Sequence, residues 1–189
     1  RRRARPTNSM SMRTVEDSEL TAEHKQALAW QLGWELHKYA RLQQREDLKE
    51  LLKAGGAYCG APDVFPALDW QDENGTSALW WVCVHGDSEL VRQLLEAGAD
   101  PNCVDKDLWT PVSLCARCGH DDCLQLLIQA GAELSVPVSD GDTALDKAIF
   151  WENDECERLL RERGAVALKP VVLVPPADKV VVVGAEVTT

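Results

Sequence analysis

The sequence predicts an all-helical solenoid of stacked helix–turn–helix units. Three segments repeat without a slip, at residues 72–104, 105–137 and 138–165. A glycine near the end of each unit recurs every 33 residues, at Gly98, Gly131 and Gly164. A hydroxyl residue recurs with the same step, at Ser77, Thr110 and Thr143. A fixed period of this length is typical of proteins in which each unit packs only on its neighbours.

Each unit contains the sequence signals of two short helices. The recurring hydroxyl residue precedes an apolar helical run, where it can accept a hydrogen bond from an unpaired helix N–H. In the middle unit Pro111 follows Thr110, and proline suits the first position of a helix because its missing N–H would be unsatisfied there. Glycine then ends the first helix in two units, at Gly86 and Gly119. An aspartate can cap the second helix of each unit, at Asp87, Asp121 and Asp154.

A fourth, degenerate unit is predicted at residues 25–58, at the start of the stack. Leu28, Leu32 and Leu36 recur at helical spacing in a first helix that is longer than those of the other units. A leucine-rich second helix follows and ends near Gly55. A terminal repeat shields the core on one side only, so a departure from the pattern is expected there. We therefore predict one repeat domain over residues 21–165.

Three segments lie outside the repeated pattern. Residues 1–20 begin with a basic, arginine-rich stretch, which favours a disordered tail; a transit-peptide remnant and a nuclear-localisation patch are the alternatives. Residues 58–71 are an insertion that either packs on the stack or contacts a partner as a protruding finger. Residues 166–189 are rich in Val and Pro and predict two short strands, which pack on the last repeat or pair with a partner.

The repeated motifs resemble those of the ankyrin repeat family. The first clear unit reads GTSALW, HGD and LLEAGADPN; the second reads LWTPVS, CGHDD and LLIQAGAELS; the third reads GDTALD, WENDE and LLRERGA. The resemblance covers residues 25–165. Leu108 and Glu152 stand where the family has glycine, and its usual histidine is replaced by Trp80, Ser113 and Asp146. The resemblance implies four stacked repeats and non-catalytic binding of another protein through a concave surface.

Composition and motifs narrow the function classes. The net charge of −11 argues against nucleic acid as a partner, because phosphate binding needs a basic surface. There is no apolar run of a length that would span a membrane. Phosphate-binding and dinucleotide motifs are absent, and the histidines are scattered over different units, at His24, His37, His85 and His120. We therefore predict neither an enzyme activity nor a cofactor.

The cysteines offer the one alternative chemistry. Cys115, Cys118 and Cys123 lie close in sequence to His120, and such a set could ligate zinc or act as a redox pair. In the repeat pattern Cys115 and Cys123 point into the core and Cys118 points to the concave side, so these ligands diverge. Buried single thiols favour a reducing, intracellular compartment. We expect the cytoplasm, or a plastid or other organelle if the basic N-terminus is a transit-peptide remnant.

The resemblance also implies which residues contact a partner. The family's contact positions lie around the turn glycine and in the two residues before the glycine that ends the first helix. In this sequence they are Glu73, Asn74, Thr76, Val84, His85, Asp107, Trp109, Arg117, Cys118, Asp140, Asp142, Phe150 and Trp151.

Aromatic residues dominate this predicted surface. Trp109, Phe150 and Trp151 are large apolar groups at positions where solubility alone would favour polar ones, which is typical of binding hot spots. The acidic residues around them predict a partner with basic and apolar side chains. Alternatively, Phe150 or Trp151 covers the C-terminal end of the stack. Trp80 and Trp81 are predicted to be structural. A further alternative is a regulatory or targeting segment of a larger protein whose activity lies elsewhere.

Overall fold

The computed structural model describes residues 22–57 and 68–168, and this part of the chain is a stack of four helix pairs. The inner layer contains α1 (Ala22–Arg41), α3 (Ala78–His85), α5 (Pro111–Cys118) and α7 (Ala144–Phe150). The outer layer contains α2 (Arg45–Ala57), α4 (Ser88–Glu96), α6 (Asp121–Gln129) and α8 (Asp154–Glu162). Each helix packs on its partner in the pair and on the equivalent helix of the next pair. The predicted helical solenoid is confirmed.

The inner helices begin at the recurring hydroxyl residues. Ser77, Thr110 and Thr143 each accept a hydrogen bond from the backbone N–H three residues later. Asp87 caps α4 in the same way, with 3.2 Å between its Oδ1 and the backbone nitrogen of Leu90. These contacts satisfy N–H groups that have no partner inside the helix.

The expectation for the caps of α6 and α8 was wrong. His120 and Asn153 occupy the cap positions, and neither side chain bonds its own helix. Both reach back to the preceding repeat instead. His120 Nε2 lies 3.1 Å from the carbonyl oxygen of Val84, and Asn153 Nδ2 donates to the carbonyl oxygen of Ala116 at 2.8 Å. Asp121 and Asp154 are the first helical residues, where negative charge still favours the helix dipole.

A continuous apolar core runs through all four pairs. Its members are small and branched aliphatic side chains together with four buried thiols. The largest side chains without exposure include Leu48, Leu79, Leu94, Leu124, Leu127, Leu145 and Leu160. Because this core is shared between neighbouring repeats, each repeat depends on the next for its burial.

Residues other than glycine hold the left-handed backbone at two positions of the repeat. Leu108 has φ 60° where the equivalent residue of the preceding unit, Gly75, has φ 81°. Glu152 has φ 55° where Gly119 has φ 74°. The turn geometry is therefore kept despite the substitutions. A residue with a side chain is strained in the left-handed conformation, so both positions cost some stability.

Three side chains hydrogen-bond the backbone at the end of the following repeat, and we call them the inter-repeat clamps. They are the side chains of Asp69, Asn102 and Ser135, which recur every 33 residues. Each accepts a hydrogen bond from the backbone N–H 31 residues later, at Asp100, Glu133 and Val166, over 2.8, 2.8 and 3.3 Å. The first clamp ties the end of the insertion to the stack, where Leu68 is also buried.

The remaining predicted segments lie outside the described residues. These are the basic tail at residues 1–20, most of the insertion, at residues 58–67, and the Val-rich residues 169–189. Within the two described ranges, no helix is both long enough and apolar enough to cross a membrane.

Candidate functional site

The inner helices and turn tips enclose a groove of about 490 Å³ on the concave side of the stack. We call it the concave groove. Its lining residues come from the second, third and fourth repeats and include three tryptophans: Trp80, Val84, Asp105, Asp107, Trp109, Leu114, Arg117, Cys118 and Trp151. Six of these were predicted contact residues, namely Val84, Asp107, Trp109, Arg117, Cys118 and Trp151.

The turn tip of the third repeat is held rigid by one carboxylate. Asp105 Oδ1 accepts hydrogen bonds from the backbone N–H groups of Asp107 and Trp109, at 3.0 and 2.8 Å. Burial raises the pKa of Asp105 above its ordinary value, against the opposing effect of these bonds. The tip also joins its neighbours, since the backbone N–H of Lys106 donates to Asn74 O and that of Ser139 donates to Asp107 O.

Arg117 lies among the aromatic rings of the groove. Its Cζ is 5.2 Å from the ring centre of Trp109 and 5.7 Å from that of Trp151. These are favourable cation–π distances. Trp151 is 50% exposed, so the aromatic platform formed by the rings of Trp109 and Trp151 remains accessible to solvent. The third and fourth repeats thus combine to present one cation on two indole rings.

A buried lysine occupies another part of the same aromatic platform. Lys147 is only 7% exposed, and its Nζ lies 5.1 Å from the ring centre of Trp109. Its ammonium donates to the carboxylates of Asp140 and Asp142, the latter at 2.8 Å. Burial lowers the pKa of Lys147, but these two bonds outweigh it and the pKa lies above its ordinary value. Asp140 and Asp142, both predicted as partner contacts, therefore already neutralise an internal cation.

Thr76 and His85 lie away from the groove. Thr76 is buried, and its Oγ1 is 2.9 Å from Nε2 of His37 and 3.0 Å from Nε1 of Trp81. This network joins the first repeat to the second, and it gives Thr76 a structural role in place of an accessible contact. His85 stacks on Trp81 and lines a separate cavity of about 260 Å³ beside Tyr39.

The last three predicted contact residues are exposed but stand outside the groove. Glu73 and Asn74 lie at the turn tip of the second repeat. Phe150 is 75% exposed and meets Trp151 edge to face, with 5.5 Å between the ring centres.

Three residues of the groove were not predicted as contacts. Trp80 was assigned a structural role, but it lies four residues before Val84 on α3 and so shares its helix face. That spacing was the available signal. Leu114 lies four residues before Cys118 on α5, so the same spacing signal was available for it. Asp105 lines the groove from the turn tip, two residues before the predicted contact Asp107.

The three candidate zinc ligands lie in different surroundings. Cys115 and Cys123 are fully buried in the core, whereas Cys118 is exposed in the groove. The hydrogen bond to Cys115 and burial raise the pKa of Cys123. The interaction with Cys123 lowers the pKa of Cys115, but the interaction with Cys83 and burial outweigh it, so this pKa also lies above its ordinary value and both thiols stay protonated. Across the described residues, no three His, Cys, Asp or Glu side chains are grouped so as to hold a metal ion.

Comparison with known proteins agrees with the geometry of the stack. A family model described as "Ankyrin repeats (3 copies)" matches residues 36–138 and, overlapping with them, residues 88–169. Ankyrin repeat-containing protein P1E11.10 of Schizosaccharomyces pombe is 30% identical over 70 residues, which are 37% of this chain and 34% of that protein. SH3 and multiple ankyrin repeat domains protein 2 of Homo sapiens is 32% identical over 111 residues, 58% of this chain and 6% of that protein.

A third relative is shorter. Protein phosphatase 1 regulatory subunit 27 of Mus musculus is 32% identical over 80 residues, 42% of this chain and 52% of that protein. The chain thus spans about half, or much less, of the length of these relatives. The family match extends over most of the described helices. The chain belongs to the ankyrin repeat family.

Proposed function

We propose that this chain binds a partner protein or peptide in the concave groove and catalyses no reaction itself. The observation that carries the proposal is the pair of accessible tryptophans, Trp109 and Trp151, beside charged groups in one groove. Aromatic side chains in a polar surround contribute most of the energy in many interfaces. Their low conformational entropy also reduces the cost of binding.

The charge around the groove favours a partner that carries both basic and apolar side chains. Glu73 and Asp107 are exposed carboxylates on neighbouring turn tips, where a lysine or arginine of the partner would be attracted. The apolar side chains would pack on the indole rings. The proposal requires no cofactor. That the protein lies in an intracellular, reducing compartment stays a prediction.

Capture from cell extract tests the proposal with a matched pair of variants. The test variant is Trp109→Ala combined with Trp151→Ala. The control is Trp34→Ala, which removes an indole of similar exposure, 47%, from α1 outside the groove. A partner retained by wild type and control but lost from the folded double variant supports the concave groove. If the same partner survives the double change, the binding site lies elsewhere.

A second candidate is a regulatory or targeting role within a larger protein. It is favoured by the relatives, one of which is named as a phosphatase regulatory subunit and another as a protein with further domains. An antibody against the repeat stack should then detect, in native extract, a chain well above 20.9 kDa. A single band at that mass argues against this candidate.

A further inference from the structure

Arg117 differs from the arginines on the outer helices. Arg92 pairs with Glu89 and Glu96, and Arg158 pairs with Glu155 and Glu162, in each case on one helix face. Arg117, by contrast, forms no ion pair with any carboxylate in the part of the chain that the structure describes. Its neighbours are the rings of Trp109 and Trp151. Arg117 therefore brings a permanent positive charge into the groove that is not taken up in an ion pair by the described residues, although Asp105 and Asp107 line the same groove.

The hydrogen-bond donors of this cation can be reached from solvent, because Arg117 is exposed while its guanidinium lies within cation–π distance of both rings. An arginine that packs against aromatic rings can still use the five N–H donors in its plane. A carboxylate can accept two parallel hydrogen bonds from such an edge. Trp80, Val84 and Leu114 line the groove beside Arg117 and add apolar surface next to the cation. These features together favour a ligand in which a carboxylate stands next to an apolar group.

A cation of the partner does not fit this part of the groove. Arg117 and Lys147 already lie against the ring of Trp109 and leave little room there for a further cation. Lys147 is neutralised by Asp140 and Asp142, so an incoming lysine or arginine would be repelled by Arg117. A doubly charged phosphate would in turn meet Asp105 and Asp107, which line the same groove. A singly charged carboxylate experiences less of that repulsion.

We propose that Arg117 binds the carboxylate of an aspartate or glutamate in the partner, whose neighbouring apolar side chain packs on Trp80 and Trp151. The inference rests on the proposed function, because it assigns the chemistry of the partner that the concave groove takes. The partner segment would then place its acid at the centre of the groove, and its basic residues would reach the turn tips at Glu73 and Asp107.

Selection from a random peptide library displayed on phage tests this assignment. The library is selected on the wild-type chain, and enriched peptides are synthesised and titrated calorimetrically. We expect an acidic residue beside an apolar one in these peptides. Arg117→Gln should weaken their binding roughly 10- to 100-fold, as expected for loss of a charge-assisted contact. Arg92→Gln on the outer surface is the matched control and should leave binding unchanged. Replacing the acid of the peptide by its amide should weaken binding equally and leaves the protein unaltered.

The outcomes separate the two proposals. In one outcome, peptides bind the wild-type chain and fail to bind the Trp109→Ala, Trp151→Ala variant, but neither Arg117→Gln nor the amide exchange weakens their binding. The carboxylate assignment is then overturned, and the groove remains the binding site. If binding survives the double tryptophan change, or if no peptide is enriched, both proposals are overturned. Circular dichroism of each variant establishes that it is folded.

Discussion

Gly119 and Gly131 provide a matched test of how one repeat is held against the next. Both follow a helix in the third repeat, and both have a left-handed backbone, with φ 74° and 82°. A Cβ atom at Gly119 would lie 2.7 Å from Oδ1 of Asn153, whereas one at Gly131 would meet no atom within 4 Å. We expect Gly119→Ala to destabilise the stack more than Gly131→Ala, because only the former displaces Asn153.

The expected magnitudes follow from the contacts. Alanine in a left-handed backbone costs about 1–2 kcal/mol, and the lower entropy of the unfolded chain offsets about 0.5–1 kcal/mol of it. Gly131→Ala should therefore lower the free energy of unfolding by about 1 kcal/mol. Displacing Asn153 breaks its hydrogen bonds to the carbonyl oxygens of Ala116 and Arg117, at 2.8 and 3.0 Å. At about 0.5–1.5 kcal/mol each, these raise the cost of Gly119→Ala to about 2–4 kcal/mol.

Urea unfolding followed by circular dichroism measures these differences, and a double-mutant cycle isolates their cause. In an Asn153→Ala background the side chain that alanine displaces is absent, so Gly119→Ala should then cost only as much as Gly131→Ala. Equal losses for the two single glycine variants would refute the reasoning. So would a cost of Gly119→Ala that the Asn153→Ala background leaves unchanged.

Three further outcomes are expected. Leu108→Gly should raise the free energy of unfolding in urea by about 0.5–1 kcal/mol, since it relieves the left-handed strain at φ 60°. Burial lowers the pKa of His37 below 6.5, so the unfolded state binds more protons than the folded state at acid pH. The free energy of unfolding should therefore fall as the pH drops below 6.5. In the His37→Gln variant this fall should be smaller. N-ethylmaleimide should label exposed Cys118 in the folded chain well before buried Cys115 and Cys123, as peptide mapping would show.

The repeat stack was predictable because its signals are local and recur in phase. In the last three repeats, a hydroxyl before each inner helix and a glycine after each outer helix have a physical reason within their own unit. Leu108 and Glu152 replace glycines at these phases, so the turn geometry there was not predicted, and the structure shows that the left-handed backbone is kept. The caps of α6 and α8 were missed because His120 and Asn153 bond another repeat, which no local pattern reveals.

The groove was predicted only in outline. The positions at which ankyrin repeats contact their partners predicted Trp109, Arg117 and Trp151 as contact residues. The distance of Arg117 from the two indole rings, however, depends on how two repeats are set against each other. Placement of this kind comes from the packing of neighbouring repeats and not from any one segment. The pairing of Lys147 with Asp140 and Asp142 lies within one repeat, but it depends on the conformation of the turn between them, which their spacing alone does not give.

The inter-repeat clamps also determine how the molecule should respond to a pulling force. Each clamp closes a loop of similar length, and each hydrogen bond ties a repeat only to the one before it. The clamps lie in series along the chain, so tension applied to its ends acts on all of them at once, and each can give way independently of the others. Release of one repeat of 33 residues would lengthen the chain by roughly 110 Å. The stack would therefore extend in steps of nearly equal size.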